Sequence, residues 1–325
     1  MYSVIGQSEI NGSDDFITCQ SNHTTSFAVL MQFNERPIPA VHDRVMDSMT
    51  KAFTAVSIVS LFITISIFLM FETLRNSERY QIHIHLAASL MVALCLFLIG
   101  MEMTNNKIVC TVIAMLLHFL FLSVFGWMMV EGINLYFKIV KVYGSEKNRM
   151  PLYIGIGYGI PAAIVIISGA LKFDNYTSPT SCWLDVQSGL IWAFGAPAIA
   201  VILINSVLLL LIGRIIFKAV VGTKADGTRA SLKGTLILTP LLGITWVFGY
   251  MSLTGAAIVF QYLFVICNSL QGFFIFMAYC ALSKEVQNHI KTAVDRHRNQ
   301  VEPRTNTLMT EDTKLADVKS KYPTN

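Results

Sequence analysis

Seven stretches of this chain run for twenty residues or more with almost no charge, at about 49–71, 82–103, 109–141, 151–171, 189–217, 234–254 and 257–281. A helix needs roughly 20 apolar residues to cross about 30 Å of hydrocarbon, so each stretch is long enough to span a bilayer. Lipid offers the backbone no hydrogen-bond partners, which restricts spanning segments to helices and closed barrels, and these runs are too long for tilted strands. After the seventh run the pattern changes. Val286, Ile290 and Val294 recur at helical spacing among polar residues, predicting an amphipathic helix that lies along the inner membrane surface. From Pro303 onward Thr, Lys, Asp and Asn dominate, which predicts a disordered tail, either solubilising or phosphorylated for regulation. The reading is an all-α membrane protein: a seven-transmembrane helix bundle over 49–282, an N-terminal segment at 1–48, and the amphipathic helix with its tail at 283–325.

Composition agrees with this pattern. Hydrophobic residues make up 54% of the chain and charged residues 14%, whereas a soluble domain carries about 25% charge. The net charge of +4 is too small and too scattered to imply a nucleic-acid partner. Its placement carries more information. The loops after the first, third and fifth spans hold Arg75, Arg79, Lys138, Lys141, Lys147, Arg149, Arg214, Lys218, Lys224, Arg229 and Lys233. Those after the second, fourth and sixth hold only Lys107 and Lys172. Basic loops stay inside, so the N-terminus is expected outside and the C-terminus inside. The glycosylation sequons at Asn11, Asn22 and Asn175 all fall on the expected outer side. The first residues lack the features of a secretory signal peptide, so either the first span directs targeting or the sequence ends a longer precursor.

Candidate chemistry narrows the class. No Lys lies between Lys233 and Lys284, which excludes a retinal Schiff base in the last span. No internal repeat points to a transporter, and the main ionisable groups within spans are Glu131, His83, His85 and His118. Phosphate loops, metal-spaced Cys/His clusters and hydrolytic triads do not occur at either membrane face, so neither an enzyme nor a metal or cofactor is expected. Cys110 at the outer start of span three and Cys182 in the next outer loop share an oxidising compartment and can be joined, pinning that loop over the bundle. Cys95, Cys267 and Cys280 lie in apolar spans and are expected simply to pack.

Several stretches, in order, carry a resemblance. They are Ile82-His83-Ile-His85-Leu, Phe125-Gly-Trp-Met-Met-Val-Glu131-Gly-Ile-Asn-Leu-Tyr136, Cys182-Trp-Leu, Trp192-Ala-Phe-Gly-Ala-Pro197, Leu241-Leu-Gly-Ile-Thr-Trp246-Val-Phe-Gly249 and Asn268-Ser-Leu-Gln-Gly272. Together they resemble the adhesion class of G-protein-coupled receptors, related to the secretin-type hormone receptors. The resemblance implies a plasma-membrane receptor whose inner face meets a heterotrimeric G protein. The basic inner loops would touch that partner or anionic lipid. Which extracellular ligand it serves is not readable. Two alternatives stand beside it: a secretin-type peptide-hormone receptor, which would need a cysteine-rich outer domain, and a non-signalling decoy stub.

Before the first span, Cys19-Gln-Ser-Asn-His23-Thr24-Thr25-Ser-Phe27-Ala-Val-Leu30-Met31 resembles the family's autoproteolysis site followed by its tethered agonist. The resemblance puts cleavage between Thr24 and Thr25, with His23 taking the proton of the Thr25 hydroxyl as it attacks the preceding carbonyl. Ser21 and Thr24 depart from the family's second Cys and its Leu, and the straining outer domain is absent from the sequence, so no self-cleavage is expected of this chain. The segment itself remains a candidate agonist. Phe27, Leu30 and Met31 share one helical face behind Thr25, suited to an apolar groove. By the same resemblance Trp183, Trp192, Trp246 and Gly249 form the agonist pocket and switch, against the alternative of ordinary core aromatics. His83 and Glu131 form an inner polar latch, against the alternative of a static pair.

Overall fold

The computed structural model describes residues 40–101, 103–140, 149–173, 176–178, 181–185, 188–222, 258–296 and 298. Its elements are α1 (Ala40–Met70), α2 (Glu72–Arg75), α3 (Glu78–Gly100), α4 (Lys107–Val140), α5 (Met150–Lys172), α6 (Trp192–Gly222), α7 (Ile258–Ser269) and α8 (Gln271–Ala281). A final helix, α9, covers 284–296. Five of these helices are long and apolar enough to cross a membrane, and α7 with α8 forms a sixth crossing bent by 51° at Leu270. The expected span at 234–254 lies outside the described residues. No strand occurs among them; Ser178 and Ser181 form one isolated bridge.

The helix ends differ from the apolar runs in an informative way. α1 begins at Ala40, well before the run that starts near residue 49. That extra length is amphiphilic: Met46 is fully buried, Asp47 pairs with Lys51 one turn on at 2.9 Å, and His42 Nδ1 meets the Tyr262 hydroxyl at 3.0 Å. Further along α1, Thr50, Thr54, Ser57, Ser60 and Thr64 form a buried polar stripe. Ser60 and Thr64 donate to carbonyls four residues back, which satisfies them within the helix. Ser57 instead donates to the Ser269 carbonyl, one of the groups freed where α7 breaks from α8.

α4 is the axis of the bundle. It packs against α3, α5 and α6, while α1 packs against α3, α7 and α8. Its approach to α5 is unusually close because glycines meet there. A Cβ on Gly126 would lie 2.9 Å from the Ile156 carbonyl oxygen and 3.1 Å from the Gly157 Cα. α5 widens at that point into a π-helical turn, Gly155–Gly159, in which the Ile160 N–H reaches the carbonyl five residues back. α8 ends in a second such turn, Met277–Ala281. Outward-facing Leu203, Val207 and Leu210 on α6, like Ile166 and Leu171 on α5, are apolar and exposed, as lipid-facing positions should be.

Candidate functional site

Two polar clusters sit at opposite ends of α4, His118 and Glu131 being thirteen residues apart, or roughly 20 Å along the axis. Toward its N-terminal end, Cys110 is joined to Cys182, with Cα atoms 4.9 Å apart. The loop that carries Cys182 folds down onto the bundle. The Cys182 N–H donates to the Met101 carbonyl at 3.1 Å, and the Ser178 N–H donates to the Trp183 carbonyl at 2.9 Å. This placement buries Tyr176 and Trp183 completely. Trp183 meets Phe121 and Phe194 edge-on at 5.8 Å and 5.3 Å, a geometry that sets positive ring edges against negative faces. The Tyr176 hydroxyl and His118 Nδ1 are hydrogen-bonded at 2.8 Å, and burial raises the phenol above its usual pKa, so it stays protonated. The result is an aromatic plug between α4 and α6.

Nearer the middle of the bundle, the His85 ring stacks on Trp127 with centroids 4.5 Å apart. His85 Nδ1 and the Ser89 hydroxyl each lie 3.2 Å from the Tyr158 hydroxyl, which the π-helical turn of α5 presents. This cluster joins α3, α4 and α5 side by side.

The second end cluster holds His83 and Glu131, the pair expected to act as a latch. Glu131 on α4 and His83 on α3 are both buried, with His83 Nδ1 4.0 Å from Glu131 Oε1. That separation exceeds hydrogen-bond reach. The hydrogen bond to Glu131 Oε1 comes from the Tyr279 hydroxyl, carried by the π-helical turn that ends α8. The Tyr279 ring in turn stacks on His83 at 3.8 Å between centroids. Tyr80 meets His83 in a T-shaped contact and donates its hydroxyl to Glu285 Oε2 of α9 at 2.7 Å. Three helices therefore share one buried carboxylate, and a fourth is tied to the rim.

The structure thus joins Cys110 to Cys182 and brings His83 beside Glu131. It buries Trp183 and leaves Trp192 half exposed at the first turn of α6. His23, Thr24, Thr25, Phe27, Leu30, Met31, Trp246, Gly249, Asn11, Asn22 and Asn175 lie outside the described residues. Tyr279, Tyr80, Tyr176 and Glu285 escaped the sequence reading. The available signal was a tyrosine within or beside an apolar span, since a buried hydroxyl there must find a partner.

Residues 43–275 match the profile of the family described as 7 transmembrane receptor (Secretin family). The chain belongs to the secretin family of seven-transmembrane receptors. It is 39% identical to adhesion G-protein coupled receptor D1 of Bos taurus, over 89% of this chain and 32% of that protein. It is 36% identical to adhesion G protein-coupled receptor L4 of Mus musculus, over 88% of this chain and 39% of that protein. Cadherin EGF LAG seven-pass G-type receptor 1 of Homo sapiens is 33% identical over 90% of this chain and 10% of its own length. The chain spans about a third of the length of the first two relatives. Its similarity is to the adhesion branch, a class of receptors rather than of enzymes, and membership makes this secretin-family chain a multi-pass membrane protein built as a seven-helix bundle.

Proposed function

We propose that this chain is the signalling part of an adhesion-type G-protein-coupled receptor, carrying an extracellular event to a heterotrimeric G protein at the plasma membrane. The observation that carries this reading is the buried Glu131 carboxylate, held by the Tyr279 hydroxyl beside His83 across three helices. A bond of that kind can hold one arrangement of helix ends and release another, which an outward movement of α8 or α3 would do. The placement of Lys and Arg supports a membrane orientation with the disulfide and the sequons Asn11, Asn22 and Asn175 outside and the latch inside.

The activating ligand in this reading is the receptor's own segment, with Thr25, Phe27, Leu30 and Met31 entering the outer mouth beside Trp183 and Trp192. Trp246 and Gly249 on span six respond to it from below. Covalent linkage gives the segment an effective concentration in the millimolar range, so weak intrinsic affinity suffices. The departures at Ser21 and Thr24 support a segment that acts without cleavage between Thr24 and Thr25.

Basal second-messenger output distinguishes the possibilities when the chain is compared with a form beginning after Met31 at equal surface level. Lower output from the shortened form is the expected result. Equal output above background would remove the agonist role from the segment, and silence from both would favour a non-signalling stub.

A further inference from the structure

At the end of the bundle that holds the latch, α1 stops at Met70 and the chain turns through Phe71 into α2. α9 runs past this turn, and a cleft of about 460 Å³ separates the two, within the roughly 300–1,000 Å³ usual for small-molecule sites. One wall carries Met70, Phe71 and Glu72; the other carries His289, Thr292 and Arg296. The Phe71 and His289 rings are in contact at 5.8 Å and floor the cleft.

The surroundings fix its position in the membrane. Met70 is 73% exposed at the tip of a spanning helix, Leu282 is exposed just before α9, and Ile290 and Val294 are exposed along it. Exposed apolar side chains beside Lys284, Lys291 and Arg296 are the signature of a helix lying at the headgroup level. The cleft therefore opens where acyl chains give way to headgroups. Its charges are of both signs: Glu72 and Arg296 line the same cavity, yet no ion pair joins them. A purely anionic ligand would meet repulsion at Glu72, and a cation would meet it at Arg296. A molecule carrying both charges close together satisfies both walls.

We propose that this cleft binds an amine-bearing zwitterionic phospholipid, with its ammonium against Glu72 and its phosphate against Arg296, His289 and the Thr292 hydroxyl. The acyl chains then run along Met70. Phosphatidylethanolamine fits, because its ammonium keeps three N–H donors for the Glu72 carboxylate. Phosphatidylcholine has none, and phosphatidylserine adds a carboxylate that would sit against Glu72. The inference is independent of the signalling reading, since it concerns occupancy and not coupling.

The test uses the purified full chain in nanodiscs containing equal parts of phosphatidylcholine, phosphatidylethanolamine and phosphatidylserine with identical acyl chains. Retained lipid is then read by native mass spectrometry. Phosphatidylethanolamine should be retained about fivefold over each of the others, the scale of one exposed charge contact. Glu72→Gln should bring phosphatidylethanolamine and phosphatidylcholine to parity, and Arg296→Gln should lower both together; each side chain is exposed, so folding is not at stake. Millimolar glycerophosphoethanolamine should displace nothing, because it lacks the chains; displacement would reassign the cleft to a soluble headgroup. Equal retention of the three lipids, a lead for phosphatidylserine, or a preference that survives Glu72→Gln would overturn the proposal.

Discussion

Glu131 is the buried carboxylate among the described residues, and its surroundings decide what it can do. A carboxyl group buried inside a bundle must be hydrogen-bonded, and here the identified donor is the Tyr279 hydroxyl, with His83 held back at 4.0 Å. Removing that single oxygen is the sharpest probe. Tyr279→Phe keeps the ring stacked on His83 and removes a buried hydrogen bond worth roughly 0.5–1.5 kcal/mol. If the latch holds the resting arrangement, basal second-messenger output should rise several-fold at unchanged surface level. Unchanged output from Tyr279→Phe beside a rise from Glu131→Gln would take the role away from the hydroxyl. His83 and Glu131 were legible in the sequence because ionisable groups in apolar spans are costly enough to need an explanation. Tyr279 was not, since it lies 148 residues from Glu131 and a tyrosine near a span end ordinarily marks the membrane interface.

Among the elements, spans one to five and seven were readable from apolar length, because the bilayer imposes that length on any crossing helix. Their irregularities were hidden. A π-helical turn adds one residue to a turn without changing composition, so the turns Gly155–Gly159 and Met277–Ala281 left no trace in the pattern. The start of α1 was missed for a related reason: its first turns are stabilised by an ion pair and by Met46, which an apolar window does not count. The approach of α4 to α5 yields a prediction in which packing opposes propensity. Alanine is favoured over glycine inside a helix by about 1 kcal/mol. Gly126→Ala should nevertheless lower the thermal midpoint of the purified chain by several degrees, because its methyl would meet backbone atoms that cannot rotate away. Gly155→Ala, with nothing within 4 Å of its Cβ position, should hold or raise the midpoint. Equal responses at the two positions would mean that the helices can part cheaply.

For the molecule as a whole, the disulfide and the Glu131 cluster bracket one helix, α4. The Cys110–Cys182 bond closes a loop of 72 residues, for which chain entropy implies roughly 4 kcal/mol. Cys110→Ala and Cys182→Ala should each lower surface level and thermal midpoint strongly, and the double substitution should cost no more than either single one. A further loss in the double variant would show that the cysteines act separately. The position of this bond along the chain also has a meaning in time. Both sulfurs lie upstream of α6, and the partners they organise, Met101 and Phe121, are upstream as well. At roughly 5–20 residues per second, the stretch from Cys182 through α8 takes on the order of ten seconds to leave the ribosome. The first half of the bundle can therefore be clasped while the second half is still being made, and Phe194 docks onto Trp183 as the next helix arrives. The bond then serves as a ratchet of biosynthesis, fixing the seat before its occupants exist.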